Sequence, residues 1–449
     1  MKELNELGKD IIDRDEELKP ILVVFTGGTI GSRAAGGVID VAEEQAYELL
    51  QRYAAAAGAG AGVRFETRQP LSVLSENLNP AHWQALIGCL ADADPASYAG
   101  VIVTHGSDTL PYTSAMLGYV FADTPVPIVL VAANYPLDDE RSNGVRNFAG
   151  AVDFIRAARL PGVYAVYANM PSSVAVHIGT RLMEALPFTD TFDSAYAAPL
   201  GWMENGVFRR NDHPVVPAEE RLRAAGSRRG VLRASGRHDG RGSGGQEEGG
   251  GSRAAVETPG SSTGSCGGDA ADVAYAAGMA GAVEGGAGRG NETGGGLNVN
   301  TAGGRAPSGV VKFSTDILYI RPYPGLDYGC YAFGDRKPRA VLHGVYHSAT
   351  ANSLPAEGYR SSLTDFAAYC REQGVDLYAA PAKNAGTALY QSADTFMRAG
   401  VRGLRKMTVE AALVKLMLAY GMFGDGAEEA RDAWLAEPVF FEIHEGGSW

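Results

Sequence analysis

Cysteine is scarce. The 449 residues contain four, Cys89, Cys266, Cys330 and Cys370, and no CxxC pair. So few thiols cannot staple a chain of this length, and a reducing compartment, the cytoplasm, is the expected location. The eight histidines form no HExxH and no paired ligand spacing, so no metal site is expected. Basic charge is also short: Lys plus Arg total 39 against 52 Asp plus Glu, a formal net charge of -13. That is the wrong sign for a nucleic-acid face or a polybasic membrane anchor. No apolar run approaches the roughly 20 residues that span a bilayer. The opening MKELNELGKDIIDRDEELKP mixes both charge signs without an apolar stretch, so it does not read as a secretory signal.

Glycine, by contrast, is abundant. Of 59 glycines, 25 lie between Gly226 and Gly304, among Ala, Ser, Arg and Glu with almost no aromatic residue. Such a stretch cannot bury enough apolar surface to offset chain entropy. We read residues 211–309 as a disordered Gly-rich insertion or linker, with Cys266 an exposed thiol inside it. A long surface insertion costs little, because closure entropy grows only with the logarithm of loop length. The expected organisation is a tail at 1–19, a larger α/β domain at 20–210 and a smaller α/β domain at 310–440.

Both ordered regions alternate apolar runs with helical patterns. Residues 21–25, 101–104, 128–131 and 163–167 are short, rich in β-branched residues and apolar without alternation, as strands buried on both faces of a parallel sheet are. Helices are expected over 41–57, from Asn79-Pro80 onward, and over 147–158. Asn79 suits an N-cap and Pro80 the first helical position. The second region repeats the pattern, with strands at 317–320, 341–345 and 376–379 and helices at 364–372 and 409–420. Thr408 reads as the N-cap of the last helix and Gly421 as its stop. The fold class is therefore α/β, a doubly wound, mostly parallel sheet followed by a smaller α/β domain.

In open α/β sheets ligands bind beyond the carboxyl ends of the strands. After the first strand stands Thr26-Gly27-Gly28-Thr29-Ile30-Gly31-Ser32. Its adjacent glycines do not match GxGxxG, so a hydroxyl nucleophile fits better than a dinucleotide. After the second clear strand come His105-Gly106-Ser107-Asp108-Thr109. There a carboxylate can hold an ammonium group and a hydroxyl can stabilise a developing oxyanion. Ser107, Asp108 or Thr109 could equally cap the helix expected over 110–121. Leu74-Ser75-Glu76-Asn77-Leu78-Asn79-Pro80 carries more polar side chains than capping alone requires.

Together and in this order, these segments resemble the bacterial L-asparaginase family, whose threonine nucleophile attacks side-chain amides. TGGTIGS is similar to its first active-site signature and THGSDTLPYTSAML to its second. VLVAANYPLDDERSNGVRNFAGAV, GTRLMEALPFTDTFDS and GLRKMTVEAALVKLMLAYG are similar to its later segments. The match spans about 20–205 and 315–425. The resemblance implies hydrolysis of L-asparagine to L-aspartate and ammonia, an acyl-enzyme on Thr29, no cofactor, and a homodimer or homotetramer acting on a small amino-acid substrate. Ser107 stands where the family has a second threonine. Asp108 matches the aspartate that holds the α-ammonium, and Ser75 the serine on the α-carboxylate. Glu76 replaces a glutamine, and Asn352 matches an asparagine delivered by a neighbouring subunit.

Two departures mark the chain as atypical. Val38 stands where the family's mobile loop has a tyrosine, and Glu184 where it has a lysine. A threonine hydroxyl needs a base or cation beside it. Lys383, just past a predicted strand, is the candidate substitute, ahead of Tyr47 and Tyr135; each also reads as an ordinary surface or packing residue. His105, His343 and His347 read as structural histidines, and the aromatics of YIRPYPGLDYGCYAF as packing. Two other readings stay open: a non-catalytic amino-acid sensor, and an amidohydrolase for glutamine or a modified asparagine.

Overall fold

A computed structural model describes residues 19–28, 30, 32–35, 38–41, 45–57, 62–170, 173–227, 311–383 and 387–444. Of the Gly-rich stretch expected to be disordered over 211–309, residues 228–309 with Cys266 lie outside these residues, as does the nucleophile candidate Thr29, whereas 211–227 are described and include a helix at Glu219–Ser227. The side chains of Val38 and Tyr47 are likewise not described.

In chain order the first part contains β1 (Ile21–Phe25), a hairpin of β2 (Ser32–Ala35) and β3 (Val38–Val41), α1 (Gln45–Ala57), β4 (Phe65–Arg68), α2 (Pro80–Ala93) and β5 (Gly100–Thr104). Next come α3 (Leu110–Val120), β6 (Pro127–Val131), α4 (Gly144–Ala158), β7 (Gly162–Met170), β8 (Ser173–Ile178), β9 (Gly201–Glu204), β10 (Val207–Arg210) and α5 (Glu219–Ser227). Eight strands form one sheet in the order β10-β9-β8-β7-β6-β5-β1-β4. β4, β1, β5, β6 and β7 run parallel, while β8, β9 and β10 extend the sheet antiparallel. β1, β5 and β6 are buried at every residue, the consequence of apolar side chains on both faces.

The winding direction reverses between β1 and β5: the chain passes from β1 to its neighbour β4, then returns to β5 on the other side of β1. That reversal opens a crevice at the carboxyl ends of these strands, where α/β sheets hold ligands.

The second part contains β11 (Ile317–Ile320), β12 (Ala340–Gly344), α6 (Leu363–Glu372), β13 (Asp376–Ala382), α7 (Gln391–Arg398), β14 (Arg402–Arg405), α8 (Val409–Met422) and α9 (Glu428–Ala436). Its four strands form a parallel sheet in chain order. Among the described residues no helix is long and apolar enough to cross a membrane.

Local signals explain most boundaries. Asn79 caps α2 through Ala81 and His82, and His82 returns the bond to the Asn79 backbone, with Pro80 at the first turn. Thr408 caps α8 through the amide of Ala411. Gly421, expected to stop α8, lies inside it. A Cβ there would fall 2.2 Å from the Lys312 carbonyl oxygen, so the residue is glycine for close approach rather than for termination. α1 starts at Gln45, after residues 38–41 pair in the hairpin. Beyond residue 210, α5 seats Leu222, fully buried, and sets Gly226 against Pro161.

The C-terminal residues stitch the two parts together. Lys415 and Glu442, both fully buried, pair at 2.7 Å. Lys415 also donates to the Glu437 carbonyl at 2.6 Å, and Glu442 accepts from the amides of Val439 and Phe440. Phe440 packs onto Gly162, while Thr180 and Arg181 donate to the carbonyls of Phe440 and Phe441.

Candidate active site

Three loops meet at the crevice. The Thr26 hydroxyl donates to the Thr104 carbonyl at 2.7 Å, joining the ends of β1 and β5. The Gly28 amide donates to the Val73 carbonyl, and the Val73 amide to the Thr26 carbonyl. Gly27 and Gly28 have φ of 99° and 76°, and a Cβ on Gly28 would lie 2.2 Å from the Gly106 nitrogen. Only bare backbone allows that approach. A Cβ on Gly106 would in turn lie 2.4 Å from Ser75 Oγ. The Thr109 hydroxyl donates to the Ser75 carbonyl at 2.9 Å.

This packing gathers Gly28, Ser75 and Gly106 at one edge. Thr29 follows Gly28 in the sequence; Ser107 and Asp108 follow Gly106. On the far side of Thr29, Ile30 is buried beside Gly144. Gly28→Ala is expected to cost roughly 2–4 kcal/mol, from left-handed strain plus a backbone clash. Chemical denaturation measures it; an unchanged midpoint would refute the close contact.

Capping does not account for the polar residues after β5. Thr109 occupies the N-cap of α3 without a side-chain capping bond. Ser75, Glu76 and Asn77 form one turn of 3₁₀ helix, leaving Asn79 alone to cap α2. His105 is structural: its Nδ1 bonds the Gly106 carbonyl at 2.7 Å, and burial holds its pKa down to about 4.

Asp108 is exposed at the rim, with its pKa raised by partial burial, then by the charges of Glu76 and Asp190. Glu76 therefore belongs to the same electrostatic cluster as Asp108. Asp190 was not singled out by the sequence. It sits in a loop with φ 49°, and no spacing rule ties Thr189-Asp190-Thr191 to the β5 loop more than 80 residues earlier.

The other candidates make contacts of their own. Glu184 accepts a hydrogen bond from the Tyr112 hydroxyl at 2.5 Å, and its amide donates to Glu410. Lys383 lies over the Tyr390 ring, 5.5 Å from its centroid, beside a small cavity in the second part. The charges acting on Asp108 include neither Glu184 nor Lys383. Asn352 spends its amide on its own turn, donating to the Leu354 and Ser361 carbonyls and accepting from the Leu354 amide. Tyr135 packs under the Arg141 guanidinium. His343 is buried and bonded to the Tyr328 hydroxyl, whereas His347 is exposed and touches Ser348.

The family model for the N-terminal domain of asparaginases matches residues 20–215. The D subunit of the glutamyl-tRNA(Gln) amidotransferase of Haloquadratum walsbyi is 33% identical over 42% of this chain and 43% of that protein. An L-asparaginase of Thermococcus kodakarensis is 32% identical over 36% of this chain and 46% of that protein. The matched stretch thus spans less than half the length of these relatives. The solved thermostable L-asparaginase from Thermococcus kodakarensis shares the fold at a TM-score of 0.62, with 21% identity, covering 95% of this chain and all of the other. L-asparaginase I from Vibrio cholerae does so at 0.60, with 19% identity, 95% of this chain and 99% of the other. Residues 20–215 thus match an asparaginase N-terminal domain, and the chain as a whole shares the fold of these solved structures.

Proposed function

We propose that the chain is an amidohydrolase that converts L-asparagine to L-aspartate and ammonia through an acyl-enzyme on Thr29. The observation that carries this reading is the backbone contact of Gly28 with Gly106, beside Ser75. It brings the loop that continues into Thr29 against the loop that continues into Ser107 and Asp108. Thr29 Oγ would attack the amide carbon and lose its proton as the amide nitrogen leaves as ammonia; water then releases aspartate. Ser107 would donate to the carbonyl oxygen, where negative charge develops. Asp108 and Glu76 would hold the α-ammonium and Ser75 the α-carboxylate, with Asn352 coming from a neighbouring copy in a homodimer or homotetramer in the cytoplasm. Lys383 would reach the site as activating cation only if a loop movement carried it there.

A second reading takes glutamine as amide donor. Relatives that are subunits of a glutamyl-tRNA(Gln) amidotransferase rather than asparaginases motivate the comparison. Ammonia release by the purified chain from each amino acid, at equal concentration, separates the two. Asparagine turnover at least about tenfold above glutamine, 1.4 kcal/mol in the barrier, supports the first; the reverse order refutes it.

The acidic rim makes a pH prediction. Binding an ammonium group needs Asp108 ionised, and its pKa is raised by burial, Glu76 and Asp190. kcat/KM therefore falls as pH drops through a point above the ordinary aspartate value. Glu76→Gln removes one repelling charge, lowers the Asp108 pKa and moves that break to lower pH, by a shift worth on the order of 1 kcal/mol. A break that stays put, or moves upward, would contradict the role of Glu76.

A further inference from the structure

A cavity of about 720 Å³ lies between the two parts of the chain. Gly344 and Pro381, at the carboxyl ends of β12 and β13, form one wall, the position at which parallel sheets receive ligands. Neither Ser75, Asp108 nor Gly28 lines it, and the proposed hydrolysis uses none of its polar groups except through the sequence match of Glu184.

Two polar clusters face the space. One is acidic. Glu184 and the buried Glu410 stand together, with the Tyr112 hydroxyl on Glu184 and Tyr319 within reach of both charges. The other is a donor cluster. The Lys406 backbone carbonyl accepts from the His444 amide, and the His444 ring packs on Tyr196 at 4.7 Å. Arg181 and Lys406 act on His444, and Glu184 acts on Glu410.

The second cluster is left unfinished. His444 is 98% buried by its 2% exposure, yet neither ring nitrogen has a hydrogen-bond partner, and the buried Tyr196 hydroxyl lacks one as well. Burial and the two neighbouring cations hold the His444 ring neutral, with its pKa lowered to about 3, so it keeps one N–H to donate. Buried polar groups without partners are uncommon and costly. Tyr196 and Lys406 also hold left-handed backbone, φ 66° and 51°, a strain that collects at binding sites. The remaining wall includes Met183, Leu186 and Tyr346, all exposed apolar side chains.

We infer that this cavity is a second binding site, for a short peptide with free termini and apolar side chains. Its ammonium end faces Glu184 and Glu410. Its carboxylate meets the unpartnered donors of His444 and Tyr196. The cavity volume is in the range of sites that enclose drug-sized molecules, larger than a single amino acid requires. The inference does not rest on the hydrolase reading.

Calorimetry with the full chain and the tripeptide Leu-Gly-Leu tests it. Leu-Gly-Leu should bind, and free leucine and the N-acetylated, C-amidated tripeptide should each bind at least about tenfold more weakly, the loss expected when a charge-assisted bond goes unmade. Glu184→Gln, at an exposed position, and His444→Phe, which keeps the ring against Tyr196, should each weaken the tripeptide by a similar factor. Thr29→Ala should leave its affinity unchanged, so loss of hydrolysis and loss of this site are distinguishable. No binding at millimolar peptide, equal binding of the blocked peptide, an unaltered affinity in Glu184→Gln, or displacement by asparagine would each overturn the inference. Should His444→Phe fail to fold, the Glu184→Gln and blocked-peptide results decide it.

Discussion

Thr29→Ala is expected to slow ammonia release from L-asparagine by roughly 10⁴-fold or more, while asparagine still binds. An amide carbonyl is a weak electrophile, and its hydrolysis depends on a nucleophile held in line with it. The substitution removes one hydroxyl and one methyl group and leaves Ser75, Glu76 and Asp108 to hold the amino acid. Affinity measured by calorimetry should therefore survive in the variant, and the loss should fall on turnover. Ser107→Ala should cost less, because it removes a single donor to the developing charge. Two results would sink the reading. Equal release by parent and variant would place the nucleophile elsewhere. Binding without release in the parent itself would favour the sensor reading that Val38 and Glu184 raise.

The second large effect concerns stability. Lys415→Met should destabilise the chain by about 3–5 kcal/mol, because it leaves the Glu442 carboxylate buried without its counter-ion. Lys415 also loses its bond to the Glu437 carbonyl and its place over the Tyr119 and Trp434 rings. Most of the loss is the desolvation penalty of the orphaned charge rather than the intrinsic worth of the pair. Lys415→Met combined with Glu442→Gln should therefore recover a large part of it. Denaturant midpoints of the three chains measure the cycle. A single-variant cost below about 1 kcal/mol, the range of an exposed ion pair, would show that water reaches the site.

The parts of the fold that were legible share one property: their cause is local. β1, β5 and β6 are buried on both faces, so every residue is apolar and the run itself marks them. Asn79-Pro80 and Thr408 carry their helix starts in their own side chains. The antiparallel extension was not legible. β8 follows β7 after only two residues, and the expectation of a helix between strands passed over it. β9 and β10 have four residues each, and β10 is half exposed, too little pattern to separate from loop. The site divides the same way. Glycines and hydroxyls after β1 and β5 could be read from their place in the chain. Asp190, the Tyr112–Glu184 bond and the unpartnered ring of His444 come from contacts far apart in sequence, for which no periodicity exists.

The final residues that seal the first sheet have a kinetic consequence. Thr180 waits for a carbonyl 260 positions later, and Gly162 for the ring that covers it. During synthesis at roughly 5–20 residues per second, that surface stays bare for tens of seconds after the sheet has emerged from the ribosome. Contacts this distant slow folding, and the apolar surface bare in that interval favours self-association.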